Sequence, residues 1–90
     1  MRQIETQNRF KRDYKREKKS DPKLDDLLNP VIEMLLMDAA LPTRLADHAL
    51  GGDWRGFLDC HVKPDLVLIY RKSADMLALA RLGSHSELFG

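Results

Sequence analysis

The fold of this chain is decided by one stretch, residues 47–70, which reads DHALGGDWRGFLDCHVKPDLVLIY. Its last part, residues 66–70, is the most strand-like run in the chain and is apolar on both faces, as a central strand would be. The part before it holds two of the three histidines, four aspartates and the only tryptophan. Titratable groups beside a buried strand sit on a rigid support, which a small active site requires. Residues 47–70 are therefore predicted to carry the centre of a sheet and the main functional site.

A second strand is predicted over residues 54–62, directly before the central one. Successive side chains of a strand point to opposite faces. One face then carries Trp54, Leu58, Cys60 and Val62, and the other carries Arg55, Phe57, Asp59 and His61. The first of these faces is interpreted as the buried one, and the second as the polar face that bears the site.

Turn residues and one further apolar run complete an antiparallel meander. The turns are KPD at residues 63–65 and KSAD at residues 72–75, and the third strand is predicted over residues 76–82. Residues 45–52 predict a loop closed by two glycines, and Ile4 fits an edge strand. The segment after the third strand is predicted to form one helical turn.

Two helices are predicted ahead of the meander. The first starts at Thr6 or Asn8 and runs to about Lys19, with a narrow apolar stripe on a basic surface. The second is predicted to start with Asp21 as its N-cap and Pro22 at its first helical position. Its apolar positions recur at helical spacing: Leu24, Leu27, Leu28, Val31, Ile32, Leu35 and Leu36.

Asp25 and Asp26 suit the start of the second helix, where the helix dipole favours negative charge. Pro30 removes one backbone donor, so a bend is expected near Asn29. Helices that precede an antiparallel meander indicate a small α+β domain, with the two helices packed on one face of the sheet.

Composition limits the class of protein further. Ninety residues make one small domain, predicted to span residues 1–90, and one cysteine cannot form an internal disulfide. No apolar run approaches the ~20 residues needed to cross a bilayer, and the N-terminus shows no secretory leader. We expect a cytoplasmic protein without a membrane partner.

The net charge of +1 hides a strong segregation of charge along the chain. Residues 1–20 carry eight basic and three acidic side chains, a net charge of +5, whereas residues 21–90 carry a net charge of −4. A basic block of this kind indicates a polyanionic partner, either RNA or an acidic protein segment, or else a solvated helix face.

The polar residues suit proton transfer at a phosphate. No phosphate-binding glycine loop, Cys-x-x-Cys pair or His-Glu-x-x-His motif is present. What remains is a set of titratable and charged candidates: His48, His61, His85, Asp59, Asp65 and Arg81. Two histidines and a cation meet the needs of RNA cleavage by internal attack, because the ribose 2′-OH is itself the nucleophile. Such a reaction needs no metal or other cofactor.

Each candidate also has a structural interpretation. Asp59 could pair with Arg55, Asp65 could cap a turn, and Arg81 could be a strand-end charge. Histidines in loops are commonly surface residues, and Trp54 and Phe57 are commonly core residues. A zinc site formed by the three histidines and Asp65 is a further alternative, although their spacing matches no metal motif.

Several motifs together resemble the YafQ family of toxins from bacterial type II toxin–antitoxin systems, within the RelE superfamily. They are Asp47-His48, Gly52-x-Trp54-Arg55-Gly56, Asp59-x-His61-Val62-x-Pro64-Asp65, Leu68-Ile69-Tyr70 and Arg81-x-Gly83-x-His85-x-x-Leu88-Phe89-Gly90. The resemblance is nearly gapless from residue 41 to residue 90 and looser before it. It implies a RelE-like α+β fold and a ribosome-dependent endoribonuclease that cleaves mRNA in the ribosomal A site.

The resemblance also implies roles for individual residues. The catalytic histidines and aspartate would be His48, His61, Asp65 and His85, with Arg81 stabilising the phosphate. Phe89 and Asp59 match positions that contact the substrate. We expect His85 to be the general acid, with His48 or Asp65 as the base. Leu66 stands where family members often have tryptophan, which predicts a packing change with intact chemistry.

The implied partners are a cognate antitoxin, the ribosome and mRNA. The basic helix could face ribosomal RNA or an acidic part of the antitoxin. The competing hypothesis is a catalytically inactive, toxin-like module that binds antitoxin or ribosome.

Overall fold

A computed structural model describes residues 2–45 and 47–90; Ala46, inside the predicted loop, and Met1 lie outside the described residues. The elements follow in the order β1 (Gln3–Thr6), α1 (Asn8–Ser20), α2 (Leu24–Leu36), β2 (His48–Ala49), β3 (Leu58–Lys63), β4 (Leu66–Lys72), β5 (Met76–Gly83) and α3 (His85–Phe89). Short 3-10 turns cover Thr43–Leu45 and Gly52–Trp54. The predicted α+β fold is confirmed.

Five strands form one sheet in the order β1-β5-β4-β3-β2. The meander β3-β4-β5 is antiparallel, as predicted, and β2 adds to β3 antiparallel with His48 opposite Asp59. The edge strand β1, which contains Ile4, runs parallel to β5, so the sheet is mixed. Strand β2 is an addition that the sequence did not predict, because two residues are too few for any periodic pattern.

The two faces of the sheet have separate cores. The face under α1 and α2 holds the larger one, which includes Phe10, Leu24, Leu28, Val31, Leu35, Cys60, Val62, Leu68, Tyr70, Leu77, Leu79 and Leu82. The opposite face holds a smaller core of Val67, Ile69, Ala80 and Leu88, against which Leu50, Trp54 and Phe57 pack. Leu88 belongs to α3, so α3 and the loop before β3 cover the face opposite the two long helices.

The predicted strand over residues 54–62 is too long at its start. Gly56 has φ +90°, a left-handed conformation that suits glycine, and the Phe57 N–H donates to the Trp54 carbonyl at 3.0 Å. The chain is therefore turning until β3 begins at Leu58. The alternation is correct for Cys60 and Val62, but Trp54 packs with Phe57 in the smaller core, with ring centroids 5.3 Å apart.

The helix starts also differ from the sequence predictions. α1 begins at Asn8 after the N-cap Gln7, since Thr6 is paired in β1. Asp21 is not the N-cap of α2 but follows the end of α1, and its side chain accepts from the Lys23 N–H at 3.1 Å. Lys23 is the residue before α2.

Helix α2 matches the predicted apolar pattern. It has Asp25 and Asp26 in its first turn, as predicted, and continues through Pro30 to Leu36. The proline therefore does not end the helix. The final helical turn predicted for the C-terminal residues is confirmed as α3.

Two register shifts lie beside the polar face. In β3 the pairing with β4 shifts between His61 and Lys63, and in β5 it shifts at the step from Leu79 to Arg81. Such irregularities bend a strand and change where its side chains point. The predicted grouping of Arg81 with Leu77 and Leu79 on one face is wrong for this reason, and Leu82 joins the larger core instead.

No helix within the described residues is long and apolar enough to cross a membrane.

Candidate active site

Three of the predicted site residues form a continuous chain of contacts. His61 Nε2 lies 3.1 Å from His85 Nε2, and His85 Nδ1 lies 2.8 Å from an oxygen of Asp65. His61 is supplied by β3, Asp65 by the β3–β4 turn, and His85 by the first position of α3. Residues far apart in sequence are thus brought together because α3 folds back over the turn between β3 and β4.

The chemistry of imidazole limits the proton arrangements in this chain. When His85 Nδ1 donates to Asp65, a neutral His85 has an acceptor at Nε2, so His61 Nε2 must donate. When His85 is protonated, both of its nitrogens donate and His61 Nε2 accepts. The His61–His85 contact therefore holds a proton between two nitrogens in either state, which is a suitable starting point for proton transfer.

Asp65 fixes the orientation of His85. One of its oxygens accepts from both the ring nitrogen and the backbone N–H of His85, the latter at 3.1 Å. These hydrogen bonds, that from the ring first, lower the pKa of Asp65 below its usual range. Asp65 is therefore a stable anion at neutral pH and is better suited to holding His85 than to accepting a proton.

His48 and Asp59 form a second pair next to this chain. His48 Nδ1 lies 3.5 Å from Asp59 Oδ1, and the rings of His48 and His61 meet edge to face with centroids 6.4 Å apart. The His48 side chain is 64% exposed, whereas that of Asp59 is only 9% exposed. The two groups are not hydrogen-bonded at this distance, so their interaction is an electrostatic attraction that acts when the His48 ring is protonated. The alternative Asp59–Arg55 pair does not occur among the described ion pairs.

Two buried polar atoms of this region are not hydrogen-bonded to any described residue. They are Asp59 Oδ1 and His61 Nδ1. Buried polar groups are nearly always satisfied, and exceptions concentrate at functional sites. Both exceptions that the described residues contain belong to the predicted site.

Phe89 lies at the rim of the cluster, where it is 43% exposed and its ring centroid is 6.3 Å from that of His85. Its position depends on α3, which begins with a capping box: the Ser84 hydroxyl accepts from the Glu87 N–H, and the Glu87 carboxylate accepts from the Ser84 N–H. An exposed aromatic ring beside a histidine can stack on a base.

Arg81 does not contact the histidines through any described hydrogen bond. Its guanidinium donates to both carboxylate oxygens of Asp13 in α1, at 2.6 and 3.1 Å. Asp13 also accepts from the Leu82 N–H at 3.0 Å and from Arg16 at 3.2 Å. Sequence reasoning missed Asp13; the signal available was an isolated acid within a run of arginines at helical spacing.

Asp13 is ionised despite being buried. Burial alone would raise its pKa, but hydrogen bonds from Arg81 and Leu82 and the charges of Arg81 and Arg16 outweigh burial and lower it. The pKa of Arg81 is raised, mainly by its hydrogen bond to Asp13. Arg81 and Asp13 therefore form a persistent ion pair where α1 packs on β5.

Cys60 projects into the larger core, on the face opposite His61. Burial raises the pKa of its thiol to about 12, so the reactive thiolate is not formed near neutral pH. This agrees with its interpretation as a small buried hydrophobe. Among residues 2–45 and 47–90, no group of three or more His, Cys, Asp or Glu side chains is arranged to hold a metal ion.

The fold and the sequence of residues 2–90 place this chain in a class of small bacterial toxins. The family described as "Bacterial toxin of type II toxin-antitoxin system, YafQ" matches residues 2–90. This chain belongs to the YafQ family.

Individual relatives agree with this assignment. The mRNA interferase toxin YafQ of Escherichia coli strain K12 is 34% identical over 89 residues, which are 99% of this chain and 97% of that protein. The crystal structure of the E. coli DinJ–YafQ complex superposes with a TM-score of 0.89 at 34% identity, covering the whole of both chains. A copper-bound mutant toxin from Helicobacter pylori gives a TM-score of 0.93 at 40% identity, covering 99% of this chain and 100% of that one.

Proposed function

We propose that this protein is the toxin of a type II toxin–antitoxin system and a ribosome-dependent endoribonuclease that cleaves mRNA in the ribosomal A site. The observation that carries the proposal is the chain of contacts from His61 through His85 to Asp65. It is supported by membership of a toxin family and by the mRNA interferase name of the E. coli relative.

The proposed reaction is internal attack by a ribose 2′-OH on the adjacent phosphate. The bond from O2′ to phosphorus forms as the bond from phosphorus to O5′ breaks, leaving a 2′,3′-cyclic phosphate and a 5′-OH. A base takes the 2′-OH proton, and an acid delivers a proton to O5′. No protein nucleophile is required, which suits a site built from histidines and carboxylates.

We assign the general acid to His85 and the base to His48. His85 donates from Nδ1 to Asp65, so the second proton of the protonated ring is at Nε2 and is the one that can be transferred. His48 is exposed to solvent, and the buried Asp59 carboxylate lies 3.5 Å from its Nδ1, where it would stabilise the positive charge that the ring gains as a base. Asp65 is a weaker candidate for the base because its lowered pKa makes it a poor proton acceptor. His61 relays protons to His85, Phe89 stacks on the substrate, and Asp59 acts through His48.

The proposed partners are a cognate antitoxin, the ribosome and mRNA, in the cytoplasm. The antitoxin is supported by the DinJ–YafQ complex of the E. coli relative, which has the same fold over its full length. The alternative of an inactive binding module is disfavoured, because every candidate catalytic side chain is present and the histidines are in contact.

We propose that the reaction needs no resident metal. His85 Nδ1 is occupied by Asp65. Removal of the 2′-OH proton and protonation of O5′ are both proton transfers and do not need a Lewis acid. The copper-bound H. pylori relative provides a specific reason to test this point. Because the paired Nε2 atoms of His61 and His85 could also coordinate an ion, bound metal would compete with the proposed acid and inhibit cleavage.

The test is cleavage of mRNA on programmed ribosomes in the presence of a chelator, comparing the native protein with His85→Ala. Loss of a general acid lowers the rate by ~10²–10⁴-fold. An exposed serine in the β4–β5 turn provides a control, since Ser73→Ala should retain native activity. Cleavage that disappears with chelator in the native protein would contradict the metal-free reaction. Native protein that binds ribosomes without cutting would support the inactive module.

A further inference from the structure

The three arginines of α1 lie together on one side of the helix. Arg9, Arg12 and Arg16 recur at i, i+3 and i+7 and, with Arg81 of β5, line a groove of about 300 Å³ around Asp13. Two lysines of the same helix lie on another side. Lys11 and Lys15 line a mainly apolar groove between α1, α2 and β1. Only the arginine side is formed from groups with a planar donor fork.

The arginine groove has more positively charged side chains than carboxylates to pair with them. Asp13 bonds directly to Arg81 and Arg16, and Arg16 also pairs with Glu17 at 3.1 Å and with Glu87 at 3.5 Å. Arg9 and Arg12 are exposed and form no ion pair within the described part of the chain. The positive charges of these two arginines are therefore not paired with any described carboxylate, and a polyanion would stabilise them.

Asp13 presents Arg81 in a defined orientation. It takes the Nε and Nη2 donors on one side of the guanidinium, which leaves Nη1 free of protein hydrogen bonds among the described residues. The Arg81 side chain remains 15% exposed at this groove. Asp13 therefore determines which edge of the Arg81 guanidinium is left without a protein partner.

The groove adjoins the histidine cluster. Arg16 donates to the Leu82 carbonyl at 3.1 Å and lies 3.5 Å from the Glu87 carboxylate, which caps α3. His85 is the first residue of that helix. Gly83 lies between Leu82 and the start of α3. A Cβ atom there would lie 3.1 Å from Arg16 Nη2, so the absence of a side chain lets the arginine approach closely.

We infer that this groove, lined by Arg9, Arg12, Arg16 and Arg81, binds backbone phosphates of the single-stranded RNA that occupies the histidine cluster. The inference rests on the proposed ribonuclease function and extends it to a phosphate subsite beside the cleaved bond. A nucleic acid carries one charge per nucleotide, so a strand that leaves the cluster along α3 brings its next phosphates to the arginines. An acidic protein segment fits the charge but has no reason to continue from the cluster.

The experiment measures equilibrium binding of a short single-stranded 2′-O-methyl oligonucleotide to the full chain over a range of salt concentrations. This probe lacks the free 2′-OH, so binding is read without cleavage. Each lost phosphate contact should reduce the slope of log affinity against log salt by about 0.7. The double variant Arg9→Gln, Arg12→Gln should therefore have a slope smaller by about 1.4 and should bind more weakly. The double variant Lys11→Gln, Lys15→Gln removes the same charge from the same helix and should keep the native slope.

Equal slopes for the two double variants would overturn the subsite, as would native protein that does not bind the probe at low salt. If the arginine double variant binds a polyglutamate peptide more weakly but binds RNA normally, the groove is a site for an acidic protein segment and the RNA subsite is overturned. The outcome is separable from catalysis. Arginine variants that bind RNA normally, in a protein that cleaves through His85, would refute the subsite alone. If the arginine double variant has a reduced salt slope but the native protein never cleaves RNA, only the proposed ribonuclease function is refuted.

Discussion

At the scale of single residues, the three histidines differ in what lies behind their Nδ1 atoms. His85 has an exposed, ionised Asp65, and His48 has the buried Asp59 at 3.5 Å. His61 Nδ1 is buried without a hydrogen bond from any described residue. Three chemically similar side chains are therefore given three different environments, which is how one small site can hold an acid, a base and a relay.

The role of Asp65 can be tested by Asp65→Asn. The amide keeps the shape of the side chain but removes the charge that holds His85, so cleavage should fall, by less than the ~10²–10⁴-fold expected when the acid itself is removed. Initial rates on programmed ribosomes provide the measurement. Asp53→Asn, at an exposed position of the loop before β3, should have no effect. A native rate for Asp65→Asn would show that Asp65 does not position His85.

Asp13 makes a prediction about stability and pH. Asp13→Asn removes a buried charge from beside two arginines and should reduce the free energy of unfolding at pH 7 by about 1–3 kcal/mol. Because the folded pKa of Asp13 is lowered, its contribution is fully present above the unfolded value of ~3.9 and is lost as pH falls through the folded value. Urea denaturation of native protein and variant should therefore differ less and less as the pH falls below ~4. A difference that grows in acid would contradict this assignment.

At the scale of elements, the sequence predicts the long, periodic segments well. Both helices, the meander and the final helical turn are where apolar spacing and turn residues place them. The differences arise where structure is not periodic. The chain turns at Gly56 before β3, two residues form β2, and a register shift sends Arg81 to Asp13.

The candidate site is predictable only in part for the same reason. The histidines and Asp65 are visible as residue types, but their contacts depend on α3 folding back to the β3–β4 turn. Asp13 and Arg81 are 68 residues apart in sequence, and only the packing of α1 on β5 brings them together.

Helix α3 is short, so its cap should matter to both stability and activity. Ser84→Ala removes the capping hydroxyl and should reduce the stability of α3 by about 0.5–2 kcal/mol. Since α3 carries His85 and Phe89, cleavage should fall with it. Chemical denaturation and cleavage rates test both effects. Ser73→Ala, in the exposed β4–β5 turn, should change stability by less than about 0.5 kcal/mol. Full activity of Ser84→Ala would mean that α3 is held by other contacts.

At the scale of the whole molecule, the sheet separates stability from chemistry. The larger core lies under α1 and α2, and the histidines lie on the other face or at its rim. Charged side chains also occupy different places, with arginines around Asp13 beside the site and Lys11 and Lys15 along the apolar groove. Strand β5 links these regions, because it pairs with β1 and β4 and packs against α1 and α3.

This separation predicts opposite effects for two substitutions. Leu28→Ala, at a side chain only 1% exposed, should reduce the free energy of unfolding by about 2–5 kcal/mol. His48→Ala, at an exposed side chain, should change it by less than about 0.5 kcal/mol but reduce cleavage by ~10²–10⁴-fold. Urea denaturation and cleavage assays on both variants are sufficient. A His48 variant that unfolds as easily as the Leu28 variant would make His48 a structural residue.

The central claim is cleavage by the substrate's own 2′-OH, with the histidine cluster moving the protons. The most direct measurement uses programmed ribosomes and an mRNA with a single 2′-deoxy nucleotide on the 5′ side of the cleaved bond. We predict that native protein leaves this bond intact, while the all-ribose mRNA yields fragments ending in a 2′,3′-cyclic phosphate and beginning with a 5′-OH. Cleavage of the deoxy-substituted mRNA at an unchanged rate, with a 5′-phosphate on the downstream fragment, would contradict the claim.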